Sequence, residues 1–416
     1  MQETAKYAVG LDIGTTTVRC VIGLMDPSNP SPSIVGIGEA PNSGMRKGSV
    51  VNIVNVAHAI DKAFEAAERM SGQEIHEATI NINGTHVTSM DSKGVIAVGA
   101  TGHEIIPADL LRVEEAATVM QLPANRQILQ VTPRSYRLDG QENIKDPLGM
   151  SGVRLEVDAH VITALTPHVH NLQKAVEMTH TTVRNMLVSS LAASHAVLTD
   201  QQIENGVVLI DIGGTTTNMA VFEEGDLQHL AILPLGGINI TNDLAIGLRT
   251  DLDVAEKVKL QAVKLGKSKE KKKDFAIKHH KEELTFKTKE IDEIVEARLD
   301  EIFEMIDAEL KKIRRSGQLP GGAVLVGGTA KMEGIIDFAK SRLRLPARVS
   351  TPHNVSGLVD KVTVPEFATA VGLMLEDLQK PHATAHKKGG ANLGAAGESA
   401  DKLFKHVRGF WGKFKS

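Results

Sequence analysis

The chain has 416 residues, of which 42% are hydrophobic and 24% charged, a composition that excludes disordered, collagen-like and polytopic membrane proteins. Its 47 basic and 51 acidic residues give a net charge of −4, so the overall charge does not favour nucleic-acid binding. The single cysteine, Cys20, excludes a disulfide framework and a cysteine-based zinc site. No signal-peptide core and no run of about 18 apolar residues occurs, so we expect a cytoplasmic protein whose membrane contacts are peripheral.

The first element predicted along the chain is a β-hairpin with a glycine-containing turn, in GLDIGTTTVRCVIG (10–23). The pattern recurs as LIDIGGTTTNMAVFEEG (209–225), with Asp12 and Asp211 199 positions apart. Each copy offers backbone N–H groups and hydroxyls beside a carboxylate, an environment that suits a phosphate group. One copy is weak evidence, but two copies half a chain apart indicate two related domains that close on one nucleotide.

Helical and extended patterns alternate between the two hairpins. Apolar residues at helical spacing predict helices over 52–70, 107–121, 168–180 and 186–198. Strand-like composition with glycine punctuation predicts extended structure over 78–102 and 126–165.

The second half of the chain is predicted to contain long helical patterns over 241–265 and 288–315. The lysine-rich segment between them, 266–287, is interpreted as a solvated charged face or loop. The segment GGAVLVGGTAKMEGI (321–335) predicts a buried strand, a Gly-Gly turn and a helix start, where the backbone can approach a base or a ribose closely. Neither a P-loop nor a Rossmann glycine motif occurs, so those phosphate sites are excluded.

The chain ends in a predicted flexible tether and a predicted amphipathic helix. Residues 380–400 are poor in large apolar side chains and rich in Gly and Ala. In the last sixteen residues, DKLFKHVRGFWGKFKS, apolar residues at helical spacing form a stripe on one face of a predicted helix. The opposite face carries five basic residues and one acidic residue. This pattern is typical of a helix that lies in the headgroup region of an anionic bilayer. The alternatives are a helix docked on the protein's own core and a helix that binds a partner's groove. The side chains expected to bind the membrane are Leu403, Phe404, Lys405, Val407, Arg408, Phe410, Trp411, Lys413 and Phe414.

Three of these segments, LDIGTTTV, IDIGGTTTNMAVF and VLVGGTAKMEG, resemble the two phosphate motifs and the adenosine motif of the actin, Hsp70 and sugar-kinase superfamily. Within it the chain resembles the bacterial FtsA family of cell-division proteins, through INGTHVTSMDSKGVIAV (82–98), EIIPADLLRVEEAA (104–117) and DGQENIKDPLGMSGVRLEVDAHVIT (139–163). The resemblance covers about 5–378 and 401–416 and is weakest in 266–290. It implies an α/β, actin/Hsp70-like two-lobed fold with duplicated ribonuclease H-like cores, an FtsA-type 1C subdomain in place of actin's 1B, and a C-terminal amphipathic helix.

The resemblance also implies an order of subdomains. This order is 1A over 1–82, 1C over 83–163, 1A again over 164–198, 2A over 199–236, 2B over 237–319, 2A again over 320–361, the C-terminal helix of 1A over 362–379, a linker over 380–400 and the membrane-targeting helix over 401–416.

Roles for individual residues follow from the same resemblance. The implied phosphate-binding residues are Asp12, Gly14, Thr15, Thr16, Thr17, Arg19, Asp211, Gly213, Gly214, Thr215 and Thr216. The implied adenosine-binding residues are Glu256, Lys259, Gly327, Gly328 and Lys331. Asp12 and Asp211 would hold Mg²⁺ through its waters, since Mg²⁺ dehydrates reluctantly. Arg298 would meet an acidic partner peptide.

The chain departs from the family pattern at two positions. Thr17 stands where FtsA proteins commonly have Lys, and Arg19, on the same strand face, is a candidate substitute. Asn218 stands where many relatives have Asp. These departures are compatible with ATP binding but argue against rapid hydrolysis, and no residue is assigned as catalytic.

The implied function is a cell-division scaffold that binds ATP with Mg²⁺ and self-associates into actin-like filaments. It would hold polymers of the partner FtsZ, through the FtsZ C-terminal peptide, at the cytoplasmic face of the membrane at the division site. There it would help to assemble the septal ring and to recruit later division proteins. The alternatives are a PilM-like scaffold of type IV pili, a small-molecule kinase of the same superfamily, and a chromosome- or shape-determining filament.

Overall fold

The structure is a computed structural model, and it describes residues 6–26, 31–99, 102–266, 274–279 and 282–379. The strands are β1 (Lys6–Ile13), β2 (Thr17–Met25), β3 (Ser33–Pro41), β4 (Met45–Arg46), β5 (Ser49–Val50), β6 (Glu77–Ile82), β7 (Thr88–Ala97), β8 (Arg126–Leu138), β9 (Gln141–Ile144), β10 (Arg154–Leu165), β11 (Thr182–Val188), β12 (Val207–Ile212), β13 (Thr217–Glu223), β14 (Asp226–Leu233), β15 (Phe275–His279), β16 (Glu282–Phe286), β17 (Ala323–Val326), β18 (Ala347–Val349) and β19 (Ser356–Gly357). The α-helices are α1 (Ile53–Ser71), α2 (Pro107–Thr118), α3 (Thr166–Glu177), α4 (Ser189–Val197), α5 (Asp200–Asn205), α6 (Gly237–Gly247), α7 (Leu252–Ala262), α8 (Thr288–Lys312), α9 (Ile335–Leu343), α10 (Val359–Val362) and α11 (Ala368–Gln379).

The first lobe is built on a six-stranded sheet in the order β11-β6-β1-β2-β3-β19. Strands β1, β2 and β3 form an antiparallel meander, and β6 and β11 add in parallel orientation on the β1 side. Helices α1 and α11 pack so closely on this sheet that glycine is required beneath them. A Cβ atom on Gly38 would lie 1.8 Å from the Ala63 carbonyl oxygen of α1, and one on Gly10 would lie 2.2 Å from the Ala370 carbonyl oxygen of α11.

The second lobe repeats this arrangement in a five-stranded sheet with the order β14-β13-β12-β17-β18. Strand β12 pairs antiparallel with β13 and parallel with β17, as β1 pairs with β2 and β6. Helix α8 buries Phe303, Leu299 and Ile306 against this lobe in a second hydrophobic core. The expected duplication of a ribonuclease H-like core is therefore confirmed.

An insertion subdomain, formed by β7, α2, β8, β9 and β10, interrupts the first lobe between β6 and α3. Its four strands form a separate antiparallel sheet in the order β7-β10-β8-β9, and α2 covers a small core of its own. The subdomain also touches the second lobe. The Ser89 hydroxyl donates to the Leu230 carbonyl at 3.0 Å, and the Lys145 ammonium group donates to the Glu224 carbonyl at 3.0 Å and pairs with Asp226.

Helix α11 is fixed to the first sheet by a buried carboxylate in its last turn. Asp377 accepts hydrogen bonds from the Thr79 hydroxyl at 2.6 Å and from the Val9 backbone N–H at 3.2 Å. The Arg184 guanidinium group lies 3.3 Å from the same carboxylate. Burial raises the pKa of Asp377, and these three partners compensate part of that cost.

Three predictions for individual elements need correction. The helix predicted over 186–198 begins only at Ser189, because residues 186–188 pair with β6 as the end of β11. The pattern over 241–265 forms two helices, α6 and α7, separated where Arg249 adopts a positive φ of 53°. The segment 266–287, interpreted as a solvated charged face or loop, contains the two-stranded sheet β15–β16, in which Phe275 pairs with Phe286.

The linker predicted over 380–400 and the amphipathic helix predicted over 401–416 lie outside the described residues. Among the helices that are described, none combines the length and the apolar character needed to cross a bilayer. The subdomain boundaries given above stay predictions.

Candidate functional site

A cleft of about 870 Å³ lies between the two lobes, and both Asp-Gly-Thr turns open into it. Its lining includes fifteen of the sixteen residues predicted to bind a nucleotide: Asp12, Gly14, Thr15, Thr16, Thr17, Arg19, Asp211, Gly213, Gly214, Thr216, Glu256, Lys259, Gly327, Gly328 and Lys331. The sixteenth, Thr215, is in contact with this set through a hydrogen bond to Thr15 at 2.9 Å. A volume of this size is typical of a site for a drug-sized ligand or a cofactor.

The two turns have the same backbone geometry. Gly14 N–H donates to the Thr17 carbonyl at 3.1 Å, and Gly213 N–H donates to the Thr216 carbonyl at 2.9 Å. The cross-strand partners also correspond, because Asp12 lies opposite Arg19 and Asp211 lies opposite Asn218. The internal repeat of the sequence is therefore also a repeat of conformation, with a cation in one copy and a neutral amide in the other.

Each turn is held by residues outside it. The Asn42 side chain donates to the Gly14 carbonyl at 2.8 Å, and the Asn42 backbone N–H donates to the Thr16 carbonyl at 2.9 Å. In the second turn, the Gly213 and Gly214 carbonyls accept from the backbone N–H groups at the start of α6, at 2.9 and 2.7 Å. These bonds leave the turns little freedom, so their remaining polar groups are preorganised toward the cleft.

Two hydrogen bonds join the lobes directly across the cleft. The Thr215 hydroxyl donates to the Thr15 hydroxyl at 2.9 Å, and the Asn83 amide donates to the Thr216 hydroxyl at 3.0 Å. The two turns therefore face each other at contact distance, and a group bound to one of them would also be within reach of the other.

Asp211 is buried and Asp12 is partly buried, and the loss of solvation raises both pKa values. The pKa of Asp12 rises to about 7, with a further increase from the Asp211 charge and an opposing effect from Arg19. The pKa of Asp211 rises to about 6, opposed by Arg19 and by the Asn218 amide. Two desolvated carboxylates that share the charge of Arg19 form a site that favours additional positive charge.

The donor set fits Mg²⁺ held through water. Carboxylate oxygens are the ligands that Mg²⁺ prefers, and Mg²⁺ usually keeps several waters. Within the described ranges, no group of three or more His, Cys, Asp or Glu side chains could enclose a metal ion by itself. A metal at Asp12 and Asp211 would therefore need phosphate or water oxygens to complete its coordination.

Arg19 contributes its charge to the cleft from a fixed position. Its Nε atom donates to Glu39 at 2.9 Å, and its guanidinium carbon lies 5.4 Å from the centre of the Phe367 ring. The side chain lines the cleft and lowers the pKa of both aspartates. Arg19 thus brings a positive charge to the cleft, and its role in place of a lysine at position 17 stays a prediction.

Glu256 and Lys259 are more than the surface ion pair that their spacing alone would suggest. Lys259 Nζ lies 2.6 Å from Glu256 and also donates to the Thr241 hydroxyl at 2.9 Å and to the Gly237 carbonyl at 3.2 Å. The pair therefore ties α7 to the start of α6, directly behind the second turn.

Glycines 327 and 328 follow β17 and face the cleft in different ways. Gly327 has a φ of +87°, and a Cβ atom there would lie 2.4 Å from Asp211 Oδ1. A Cβ atom on Gly328 would meet nothing within 4 Å, so this residue borders open space. Lys331, which follows, pairs with Glu366 at 2.7 Å. The Gly-Gly turn thus leaves room beside Asp211 that side chains would fill.

Arg298, predicted to meet a partner peptide, lies on α8 and is not part of the cleft lining. It holds the Asp243 carboxylate with two hydrogen bonds, of 2.5 and 3.0 Å, and it also pairs with Glu301. The hydrogen bond to Asp243 raises the pKa of Arg298. Its charge is therefore already partly neutralised within the protein.

Three asparagines that are not predicted from the sequence organise the site, namely Asn42, Asn81 and Asn83. Asn81 donates to Asp12 Oδ1 at 2.6 Å and accepts from the Ile13 backbone N–H at 2.7 Å, so it orients the Asp12 carboxylate. The available signal was the alternation in TINING (79–84), where two asparagines two positions apart interrupt an apolar strand.

The strand order of both sheets, with paired phosphate-type turns facing one cleft, defines an actin-like ATPase fold. Solved structures that share it include the PilM-PilN type IV pilus biogenesis complex, with a TM-score of 0.66 and 17% identity over 89% of this chain and 98% of that one. Another is MreB5 of Spiroplasma citri bound to ADP, with a TM-score of 0.52 and 12% identity over 88% and 94% of the two chains. At such identities the likeness concerns the fold alone, and it confirms the predicted fold class.

Sequence relatives identify the family. A model described as "Cell division protein FtsA" matches residues 208–372, and one described as "SHS2 domain inserted in FTSA" matches residues 84–163. Cell division protein FtsA of Pseudomonas aeruginosa is 38% identical over 382 residues, or 91% of each chain, and that of Bacillus subtilis is 39% identical over 369 residues, or 88% of this chain and 82% of its own. The chain belongs to the FtsA family of cell division proteins, as the sequence motifs predicted.

Proposed function

We propose that this chain is a cell-division scaffold that binds ATP with Mg²⁺ between its lobes and forms head-to-tail filaments. Through these filaments it holds FtsZ polymers at the cytoplasmic face of the membrane at the division site and recruits later division proteins. The observation that carries the proposal is the pair of matching Asp-Gly-Thr turns, which meet across one cleft of about 870 Å³.

The nucleotide would be held mainly by groups that the fold has already oriented. Backbone N–H groups and hydroxyls of the turns at 14–17 and 213–216 would bind the phosphates. Glu256, Lys259, Gly327, Gly328 and Lys331 would surround the adenosine. When bound, Mg²⁺ would supply positive charge to the phosphates, and its waters would contact Asp12 and Asp211.

Hydrolysis by this site would be slow at most. An attacking water needs a proton acceptor, and the amide of Asn218, opposite Asp211, cannot accept a proton at neutral pH. Neither amide atom of Asn218 makes a hydrogen bond of normal geometry with the described residues, although the group lies close enough to lower the pKa of Asp211. This amide would orient a water without activating it.

Membrane attachment is proposed from the sequence of residues 401–416, whose apolar stripe and basic face match an interfacial helix. A single helix of this length binds reversibly, so several copies on one filament would be needed for stable attachment. A head-to-tail contact provides such a filament, because a heterologous interface that does not close continues indefinitely.

The FtsZ C-terminal peptide would dock on the face that carries Arg298. The support is the basic character of this position together with its location on α8, outside the nucleotide cleft. Because Asp243 and Glu301 already neutralise Arg298, an acidic peptide would have to compete with these two carboxylates.

Two measurements on the full-length protein test the proposal. In a titration with fluorescently labelled ATP and Mg²⁺, Asp211→Ala is expected to lower the affinity at least tenfold. The control Asp158→Ala, in the insertion subdomain, is expected to bind ATP with wild-type affinity. In co-sedimentation with anionic liposomes, the protein should pellet and a variant lacking 401–416 should stay in solution. Unchanged affinity of Asp211→Ala would refute the nucleotide site, and equal pelleting would refute the membrane role of the tail.

The small-molecule kinase alternative is tested by a screen for ATP-dependent phosphorylation of sugars. Robust turnover of any acceptor would replace the scaffold proposal.

A further inference from the structure

We propose that Asn83 is a positioning residue of the nucleotide site, which reaches across the cleft and orients the Thr216 hydroxyl as a hydrogen-bond donor to a phosphate. This inference rests on the proposed nucleotide function. It assigns a role to a residue of the first lobe in the phosphate loop of the second lobe.

The orientation of the Asn83 amide is determined by its chemistry. Its Oδ1 atom accepts from the backbone N–H of Gly84 at 2.6 Å, and this bond requires the oxygen of the amide on that side. The NH₂ group must then point the other way, where Nδ2 donates to Thr216 Oγ1 at 3.0 Å. Asn83 lines the cleft, and the Thr216 residue that it contacts is only 3% exposed.

The hydroxyl of Thr216 is left with a proton to donate. A hydroxyl group has one proton and two lone pairs, and Asn83 occupies one lone pair. The neighbouring hydroxyls in the same turn are already committed, since Thr215 donates to Thr15 and Thr217 donates to the Leu235 carbonyl. Within the described part of the chain, the Thr216 hydroxyl accepts from Asn83 and donates no hydrogen bond. A phosphate oxygen in the cleft is the acceptor that this geometry suits.

Asn83 also connects the phosphate loops to the insertion subdomain. It stands between the end of β6 and Gly84, whose φ of +112° turns the chain toward β7. Gly48 packs against this turn, since a Cβ atom on Gly48 would lie 2.6 Å from the Gly84 nitrogen. The backbone N–H of Gly48 also donates to the Thr15 hydroxyl at 3.2 Å. Asn83 therefore joins Thr216 to the point at which the insertion subdomain begins.

The test is a double-mutant cycle on the affinity for Mg²⁺–ATP, measured by titration of full-length protein. Asn83→Ala is expected to weaken binding roughly tenfold, because Thr216 then loses its orienting donor and a hydrogen bond to a charged group is weakened. Asn83→Asp keeps the acceptor for Gly84 but offers Thr216 an acceptor instead of a donor. The Thr216 proton should then turn away from the cleft, and affinity should fall further than in the alanine variant.

The same substitutions are repeated in a Thr216→Val background, which lacks the hydroxyl. If Asn83 acts through Thr216, Asn83→Ala should change the affinity of that background less than twofold. The inference would be overturned if the affinity losses of Asn83→Ala and Thr216→Val multiplied in the double variant. It would also be overturned if Asn83→Ala bound ATP with wild-type affinity. Asn55→Ala, at the exposed start of α1, is the control and should bind ATP as the wild type does. Should Asn83→Ala unfold the turn, Asn83→Ser, whose neutral hydroxyl can still accept from the Gly84 N–H, and its cycle in the Thr216→Val background decide the question.

The outcome distinguishes this inference from the proposed function. If the wild-type protein itself does not bind ATP, the proposed function fails. If the wild type binds and Asp211→Ala does not, but Asn83→Ala retains full affinity, only the role of Asn83 fails.

Discussion

Lys145 of the insertion subdomain forms an ion pair with Asp226 of the second lobe, whose side chain is only 1% exposed. The insertion subdomain is part of the first lobe in sequence, so this pair links the two lobes at a point away from the turns. Burial raises the pKa of Asp226 to about 6, although Lys145 opposes this effect. The negative charge of Asp226 is thus stabilised mainly by Lys145, with a smaller contribution from Arg134.

This dependence predicts an asymmetry between two substitutions. Lys145→Ala leaves a buried carboxylate without its cation and is expected to lower the free energy of unfolding by about 2 kcal/mol. Asp226→Asn removes the charge that is costly to bury, while the half-exposed Lys145 can turn to solvent, so its cost should be smaller. Urea denaturation at pH 7 measures both.

The control for this comparison is Lys93→Ala, which removes a more exposed ion pair with Asp158 within the insertion subdomain. Its effect should stay below about 0.5 kcal/mol. A larger loss in Asp226→Asn than in Lys145→Ala would contradict the explanation.

A second prediction concerns acid stability and His86. Burial, and then the charge of the neighbouring His168, lower the pKa of His86 to about 4, and the two rings stack with centroids 4.2 Å apart. The folded protein therefore favours the neutral ring, whereas the unfolded chain takes up a proton near pH 6.5. The stability that this difference contributes is complete above pH 6.5 and is lost as the pH falls toward 4.

Thermal unfolding as a function of pH measures this effect. The melting temperature of the wild type should fall between pH 6.5 and 4, and His86→Phe should reduce the slope in that range because the ring no longer titrates. His58→Gln, at an exposed position of α1, should leave the slope as it is. An unchanged slope in His86→Phe would show that other groups cause the acid sensitivity.

Alanine substitutions at the two adjacent glycines after β17 are expected to differ in their effects on stability and on ATP binding. Gly327→Ala places a Cβ atom 2.4 Å from Asp211 Oδ1 at a φ of +87°, so it should displace the aspartate, lower stability by about 1–3 kcal/mol and abolish ATP binding. Gly328→Ala meets nothing within 4 Å, so it should retain wild-type stability and weaken ATP binding only by intruding into the cleft. Calorimetric unfolding and ATP titration of both variants separate the two effects, and equal stability of the two variants would be evidence against this explanation.

The ion pairs of Arg298 lead to a prediction about the proposed FtsZ contact. Asp243→Ala removes the carboxylate that competes with an acidic peptide, so the affinity for a labelled FtsZ C-terminal peptide should rise a few-fold, whereas Arg298→Ala should lower it. Fluorescence anisotropy measures both, and Arg342→Ala, which breaks an ion pair with Asp300, is the control. A decrease in Asp243→Ala would mean that Asp243 holds Arg298 in the binding conformation instead of competing for it.

Much of the site could be predicted because its signal is local. An aspartate, a glycine turn and threonines within eight residues specify a hairpin with polar groups at its tip, and the second copy showed that two such tips belong together. Strand alternation also placed Arg19 on the same strand face as Thr17, and pairing of β1 with β2 adds that it lies opposite Asp12.

The remaining features depend on contacts that sequence spacing does not reveal. Asn83 gains its role from Thr216, 133 residues away, and Arg298 is neutralised by Asp243, 55 residues away. The end of β11 looked helical because Met186 and Leu187 suit either structure, and pairing with β6 decided the outcome. The break between α6 and α7 was missed because the apolar spacing continues across it.

The anchoring of α11 by Asp377 has a mechanical consequence. Residue 379 is the last described position, and any pull on the chain beyond it enters the fold through this helix. Because Asp377 is bonded to Val9 of β1 and Thr79 of β6, the load passes into the central strands of the first sheet. Strand β1 also carries Asp12, so tension on the C-terminus acts on the same strand that presents a carboxylate to the cleft.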